Sequence, residues 1–561
     1  MKHSKPVILL LTVLLAAIAV VFGRNEIGMR NFPFSVVVTS DGIREELKCQ
    51  KLKGEYYMFL PGYAGDENAQ IQPNPVYDVF IDGQQLEMNQ PCADFPTNTK
   101  LELYFRSLKN EGYETVTFVQ SEDMPTMYID VPSGNMEFIH AEKGNSEPGW
   151  MRIYSEDGTQ SYSGPLESLK GRGNNTWMGD KKPYSLELSQ EADLLGMGQA
   201  SKWILLTNAN DDSHLRNKIS YDMAKALNTP YAPDCTWVHL YLNGEYAGLY
   251  LLAERNEVHP QRVAIEEEGS FLVAIEPDWR LREQGYPYVQ TSSGMALRIH
   301  HNTIPQNTVQ QIWQSAENAI YAEDGVDPVS GKSWDELIDM DSWARKYLMQ
   351  EIFGNADVLL ASEFFFYHQT EGLLYAGLIW DMDVTLIDTN EPWLSYRAII
   401  AGRPHLSSDS DRNLFYELLQ KQAFCNRVKE LYQEEFRPYL RQLLDSDLDK
   451  YIQATERAVL SHEVRWPGED SGQSTANMRN FLEKRIKFLD DYWILEKQFF
   501  LVQVQQEHRI WAFAAYPGET LEALPDMESG SWYRMDTDEI LDKTLPVNSD
   551  LMIAVKDSDA A

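Results

Sequence analysis

Lys170-Gly171-Arg172-Gly173-Asn174-Asn175-Thr176-Trp177, followed after three residues by Lys181-Lys182-Pro183-Tyr184-Ser185-Leu186-Glu187-Leu188, is the stretch on which the reading of this chain turns. Two glycines flanking an arginine let backbone N–H groups converge on an anion, and the basic, aromatic strand behind them adds cations. A basic edge strand behind an ordinary turn carries the same letters, so the block needs a partner. It has one in Asn355-Ala356-Asp357, Ser362-Glu363 and Trp380-Asp381-Met382-Asp383. Asp357 follows a helical pattern. Asp381 and Asp383 close an apolar run read as a strand, where two-residue alternation puts them on one face. Same-face carboxylates repel unless a cation or a proton separates them, and carboxylates joined by water and phosphate oxygens are what Mg²⁺ takes. A solvated strand end with two ordinary acids is the plainer alternative.

Together the two blocks supply the parts of phosphoryl transfer: a glycine-bearing turn, a lysine, an acid to orient a hydroxyl, and acids to hold metal. Protein kinases space the base aspartate and its metal-binding partner as D-x-x-x-x-N. Here the partner position is Ser362, and Asp381 comes 24 positions after Asp357.

The rest of the chain bounds this reading. It has 561 residues with 49 Lys and Arg against 85 Asp and Glu, a formal net charge of −36. That balance argues against an extended surface tracking a nucleic acid polymer, which needs clustered cations. It leaves room for a nucleotide site, which needs only a few. Hydrophobic residues at 43% and aromatics at 12% mark a globular chain, with length for about three or four domains.

Met1 to Phe22 joins a basic start, Lys2 and Lys5, to an apolar run from Val7 to Phe22. Residues 1–23 therefore read as a signal peptide or an N-terminal membrane anchor, which implies an extracytoplasmic protein, secreted or anchored, touching membrane only through that segment. Cys49, Cys92, Cys235 and Cys425 are few for an exported chain, and their pairing stays open.

Residues 31–132 alternate short apolar strands with turn signals and predict a β-sandwich-like domain. Residues 133–495 mix strands and helices. Ser213 is the expected cap of a helix carrying Ile219 and Met223, and Asp341 that of a second helix. Asn243-Gly244 marks a tight hairpin, and Phe364–Tyr367 with Ala376–Trp380 a second one. The stretch from Asn413 to Leu495 reads as helical around a polar loop, Pro467 to Ser474, and residues 500–561 as a small β module. His300-His301 reads as a loop before Pro305, and Asp409-Ser410-Asp411 as the cap of the helix near Asn413.

Several motifs in order give the chain a family resemblance. They are Gly171-Arg172-Gly173-Asn174 with Thr176-Trp177, Lys181-Lys182-Pro183-Tyr184, Leu194-Leu195-Gly196-Met197 and Lys202-Trp203-Ile204-Leu205-Leu206. Then come Asp212-Ser213 with Leu215-Arg216-Asn217, Leu242-Asn243-Gly244-Glu245-Tyr246, Gly248–Leu252, Glu254, Arg262-Val263 and Trp380–Asp383. Over about residues 124–388 the sequence resembles the CotH kinase family, spore-coat-protein-H-like kinases. The resemblance implies an α+β, divergent protein-kinase-like fold. It implies a kinase that takes ATP and Mg²⁺ or Mn²⁺ and phosphorylates Ser or Thr of a protein. Lys182, with Arg172 and Asn174 in the turn, would contact ATP phosphates, and Glu254 would meet adenine at the hinge. Asp357 would orient the substrate hydroxyl, or help to hold metal. Asp381 would hold metal, with Asp383 as second ligand or organiser. Glu363 stands where Gln is expected and would bring an extra acid near the cation. Residues 500–561 resemble a single internalin-type B-repeat. A catalytically silent surface or adhesion protein on the same scaffold, and an AMP-transferring enzyme, are the competing functions.

Overall fold

A computed structural model describes residues 32–108, 110–122, 124–266, 268–387, 395–405, 412–468, 471–506, 509–523 and 530–557. The expected signal or anchor over 1–23, the expected cap at Asp409-Ser410-Asp411, and residues 507–508, 524–529 and 558–561 of the expected C-terminal β module lie outside the described residues. Among the described residues no helix is long and apolar enough to cross a membrane. The fold is mixed α and β with several sheets. It divides into two compact units, each assembled from separated stretches of chain. One takes residues through Leu195 with Trp237–Tyr250 and Ala454–Pro467; the other takes Gly196–Thr236, Leu251–Gln453 and the chain from Gly468. The stretch read as one body over 133–495 contributes to both.

The first unit opens with two sheets. One has four strands, centred on Phe34–Ser40 between Ile43–Lys48 and Ala69–Pro73. The other has six, with Glu111–Gln120 paired antiparallel to Lys100–Arg106 and parallel to Glu55–Leu60. Alternate residues turn inward, as the strand period requires. Phe34, Val36 and Val38 from the first sheet and Met58, Leu103 and Phe118 from the second enter one buried cluster. Phe118 stacks on Phe34 at 5.9 Å and on Phe95 at 5.6 Å between ring centroids. Beyond the sandwich, Thr126–Asp130, Ser146–Tyr154, Gln160–Gly171 and Tyr184–Asp193 follow as an antiparallel meander. His239 to Leu242 run parallel to its first strand. The Asn243-Gly244 turn has both residues left-handed, at φ 51° and 80°. A Cβ on Gly244 would lie 2.3 Å from the Glu46 carbonyl oxygen, so this corner admits only glycine.

The second unit is built on a five-stranded antiparallel sheet in the order Tyr288–Gln290, Ala296–Asn302, Phe271–Ile275, Glu363–His368, Leu373–Ala376. Against it pack the helices Gln306–Tyr321 and Met340–Phe353, through Trp313 and Trp343, each with its ring 5.0 Å from Phe365.

Several local expectations change here. The hairpin's second strand stops at Ala376, because Leu378 and Asp381 turn left-handed at φ 57° and 60°. The helix expected from Ser213 is Arg216–Ala226, and Asp211 serves its start, accepting from the Arg216 amide at 2.8 Å. The second helix is capped by Asp339, which accepts from the Ser342 amide at 2.8 Å, while Asp341 pairs with Arg427. In both places an acid lay within two residues of the expected cap, and backbone direction chose between them. His300 and His301 lie in the strand Ala296–Asn302, not a loop, and the polar loop after Pro467 gives way to a helix at Ser471. All four cysteines are free thiols, Cys49, Cys92 and Cys235 buried.

Truncating the ring that joins the two N-terminal sheets should leave a cavity that they cannot close. Phe118→Ala is expected to lower unfolding free energy by about 3–5 kcal/mol, read from the urea transition of the full chain.

Candidate active site

The glycine turn is held by its own large side chain. Gly171 ends its strand beneath Trp177, whose ring would lie 2.3 Å from a Cβ there. Gly173 is left-handed at φ 78°. Lys143 donates to the Gly173 carbonyl at 2.9 Å and to Asn174 Oδ1 at 3.4 Å, and the Arg172 amide donates to the Pro183 carbonyl at 3.1 Å.

The two lysines that follow are not equivalent. Lys182 stays at the turn: its Nζ donates to the Trp177 carbonyl at 2.8 Å and sits 4.9 Å from the ring centroid. Lys181 turns inward, donating to the Leu249 carbonyl at 2.6 Å with the Tyr250 ring 4.6 Å away. Burial pushes its ammonium well below the usual lysine range. A Lys-Lys doublet in the sequence does not say which member is which. Pro183 and strand alternation decide it.

The acids lie in the second unit, and not as strand neighbours. The backbone from Leu378 to Asp383 is a non-repeating loop held from outside itself. The Leu378 amide donates to the Pro230 carbonyl at 3.1 Å, and the Met382 amide to Asn217 Oδ1 at 2.9 Å. Arg216 Nη1 donates to the carbonyls of Asn210 at 2.7 Å and Asp383 at 3.1 Å. Asp381 is exposed and accepts from Ser362 Oγ at 3.1 Å, whereas Asp383 is only 6% exposed and accepts from Asn210 Nδ2 at 3.0 Å. Alternation along a strand is therefore not what brings them together; the loop is.

Their fields still meet. Burial first, and the Asp381 charge second, push the Asp383 carboxyl up to about 7, with Asp211 adding to the rise and the Asn210 hydrogen bond opposing it. A buried carboxyl raised by burial and by a neighbouring carboxylate's charge suits a divalent cation. Among the described residues no group of three or more His, Cys, Asp or Glu is gathered for one. The pair fits Mg²⁺ or Mn²⁺ as a two-carboxylate set completed by water and phosphate oxygens. Leu359, Ser362, Leu378, Asp381 and Leu386 all have φ near +57°. Non-glycine residues in that region cluster where surrounding structure enforces them.

Asp357 is exposed in the turn after the Met340–Phe353 helix, and a buried polar chain sets that turn. Lys346 pairs with Glu363 at 2.8 Å, Gln350 donates to Glu363 at 2.6 Å, and Asn355 to Gln350 at 2.7 Å. The Asp357 amide then donates to Asn355 Oδ1 at 3.0 Å. Burial lowers the Lys346 ammonium and raises the Glu363 carboxyl, each countered by the other. Glu363 is thus not a spare acid facing a cation, as its sequence position suggested. Its charge is taken up by Lys346.

Glu254 lies elsewhere in the second unit, on a cleft of about 390 Å³ lined by Thr229, Pro230, Tyr231, Asp234, Arg255 and Leu378. It accepts from Arg262 Nη1 and, at 2.9 Å, from the Asp234 amide. Burial pushes its carboxyl up to about 7 in spite of Arg262. Volume and mixed lining suit a small ligand. Leu378 joins this cleft to the acidic loop three residues before Asp381.

The residues that the sequence did not point to are Asn210, Asp211, Lys346 and Gln350. The first two sit in Asn208-Ala209-Asn210-Asp211-Asp212-Ser213, a run dense in side chains that bond local backbone, which was the available signal.

Residues 169–489 match the family described as CotH kinase protein. The match covers more than half of the chain, which belongs to that family. It is therefore a kinase-like protein, with phosphotransferase chemistry as its family's activity. No match was found among curated proteins.

Two outcomes follow. Glu254, with a folded-state value of about 7 against an unfolded 4.5, binds a proton more tightly when folded. Its contribution to stability therefore falls as pH rises through that interval. Glu254→Gln cannot titrate, so its melting temperature relative to wild type should rise between about pH 5 and about pH 8, by differential scanning calorimetry. Millimolar Mn²⁺ should raise the melting temperature of wild type by about a few degrees through preferential binding to the folded state, and of Asp383→Asn much less.

Proposed function

We propose that this CotH-family chain is an exported protein kinase that transfers the ATP γ-phosphate to Ser or Thr hydroxyls of an extracytoplasmic protein. The single observation that supports it most is the Asp381–Asp383 pair: an exposed carboxylate whose charge, after burial, raises its buried neighbour beside Asn210, on a loop held in left-handed turns. A scaffold without chemistry has no use for that repulsion.

In this reading Lys182, Arg172 and Asn174 draw in the triphosphate, and Glu254 meets the adenine edge. A divalent cation held by Asp381 and Asp383 would neutralise phosphate charge. Asp357 orients the substrate hydroxyl and receives its proton. The hydroxyl oxygen forms its bond to the γ-phosphorus as the bond from that phosphorus to the β–γ bridging oxygen breaks, and ADP leaves with the bonding pair. Export rests on Met1 to Phe22. The resemblance of residues 500–561 to an internalin-type B-repeat suits a bacterial surface protein.

The test is incubation with γ- or α-labelled ATP and Mg²⁺ or Mn²⁺, with a generic acceptor protein such as casein. Label from the γ position alone is expected on Ser or Thr, reduced about 100-fold or more in Asp381→Ala. Label from the α position would instead make the enzyme an AMP transferase. No label from either, with no nucleotide binding, would leave a silent surface scaffold.

A further inference from the structure

Beyond the acidic loop, residues 395–405 are bonded from two sides. On one side lies the helix Met340–Phe353, which ends four residues before Asp357. Its Glu351 accepts from the amides of Ile400 at 3.0 Å, Ala401 at 2.8 Å and Gly402 at 3.0 Å. Arg485, from the helix Ser471–Trp493, pairs with Glu351 at 2.9 Å and donates to the carbonyls of Tyr396 at 2.8 Å and Ala398 at 2.7 Å. Both side chains are fully buried. A buried ion pair costs desolvation of both charges and is weak evidence for stability in itself. Here it spends its hydrogen bonds on the backbone of one short segment.

On the other side lies the C-terminal β module. Its sheet runs Arg509–Ala515, Phe500–Gln506, Leu551–Asp557, Gly530–Arg534, which leaves Arg509–Ala515 at an edge. An open edge is a row of unpaired amides and carbonyls that recruits another strand. This edge takes residues 397–399. Ala398 bridges Phe513 antiparallel, the Ile399 amide donates to the Ala512 carbonyl at 2.8 Å, and the Ala514 amide to the Arg397 carbonyl at 3.2 Å. Beside it Arg397 pairs with Glu519 at 2.8 Å, with the Tyr516 ring 5.6 Å away.

We propose that the C-terminal β module acts in cis as a clamp: by adding its edge strand to residues 397–399 it fixes the segment that Glu351 and Arg485 also hold, making residues 500–557 a positioning element of the acidic loop rather than a separable surface module. Glu351, which binds the segment, lies in the helix Met340–Phe353; that helix delivers Asp357, and its Phe353 carbonyl accepts from the Leu386 amide beside the acidic loop at 2.9 Å. Loosening the segment therefore loosens both ends of the catalytic set. Arg397, Glu519 and the 509–515 edge are positioning residues. None is assigned contact with substrate. The effect on catalysis rests on the kinase reading; the clamp itself does not.

The test uses the full chain with Ala514→Pro, which removes the amide facing Arg397 while keeping the edge strand's bonds to its own sheet, and with Arg397→Ala as a second, milder variant. Amide hydrogen exchange should quicken about tenfold at 396–402 and also at 381–387. In wild type and variants that retain folding by calorimetry, kcat for γ-phosphate transfer should fall about tenfold while KM for ATP stays within about twofold. Exchange that quickens only at 509–515 and 396–402, with 381–387 and kcat unchanged, overturns the proposal. So does unchanged exchange at 396–402 in both variants. If wild type transfers no phosphate, the kinase reading fails and the exchange at 381–387 decides the clamp alone.

Discussion

The acidic loop exists because two side chains at the start of one helix grip its backbone. Arg216 holds the Asp383 carbonyl and Asn217 the Met382 amide, while Asp211 serves the same helix end. That grip holds Asp383 buried while Asp381 stays exposed beside it. The Asp381 charge adds to the cost that burial already puts on ionising Asp383, so the loop is held by bonds from outside itself. Leu378 and Asp381 adopt left-handed conformations that break the extended run before Asp383.

Buried polar chains do comparable service around Asp357 and the returning segment. Lys346, Glu363, Gln350 and Asn355 form an unbroken series that ends on the Asp357 amide, and Glu351 with Arg485 ends on the 396–402 backbone. Each costs desolvation that an apolar core would avoid. Each uses its bonds to fix loops instead of joining helices. Loops of this kind carry function on a rigid scaffold, and here the scaffold is the five-stranded sheet with Trp313 and Trp343 beneath it.

Part of this was legible in the letters. Glycines flanking Arg172, a strand opening at Tyr184 and the Asn-Gly corner each have a local cause and stand where the sequence put them. The errors were also local in origin. Asp381 and Asp383 were placed on one strand face because an apolar run looks extended until a left-handed residue interrupts it, and nothing in Leu378 announces one. Ser213 and Asp341 were chosen as caps over Asp211 and Asp339 because several capping residues stood side by side. Glu363 looked like a surplus acid because its partner, Lys346, lies 17 positions earlier on a helix.

What the sequence determined by itself was the inventory and its order: the glycine turn, the paired lysines and the spaced acids, and that the chain belongs to a kinase-like family. Such information is carried by side-chain chemistry and short spacing, which survive without coordinates. The tertiary structure decided which of two lysines is buried, which acid is held near neutrality, and that a C-terminal β edge pairs with the segment beyond Asp383. Those depend on burial and on hydrogen bonds between residues far apart in the chain, 68 positions for Lys181 with Leu249 and 173 for Asn210 with Asp383, and no local pattern encodes them.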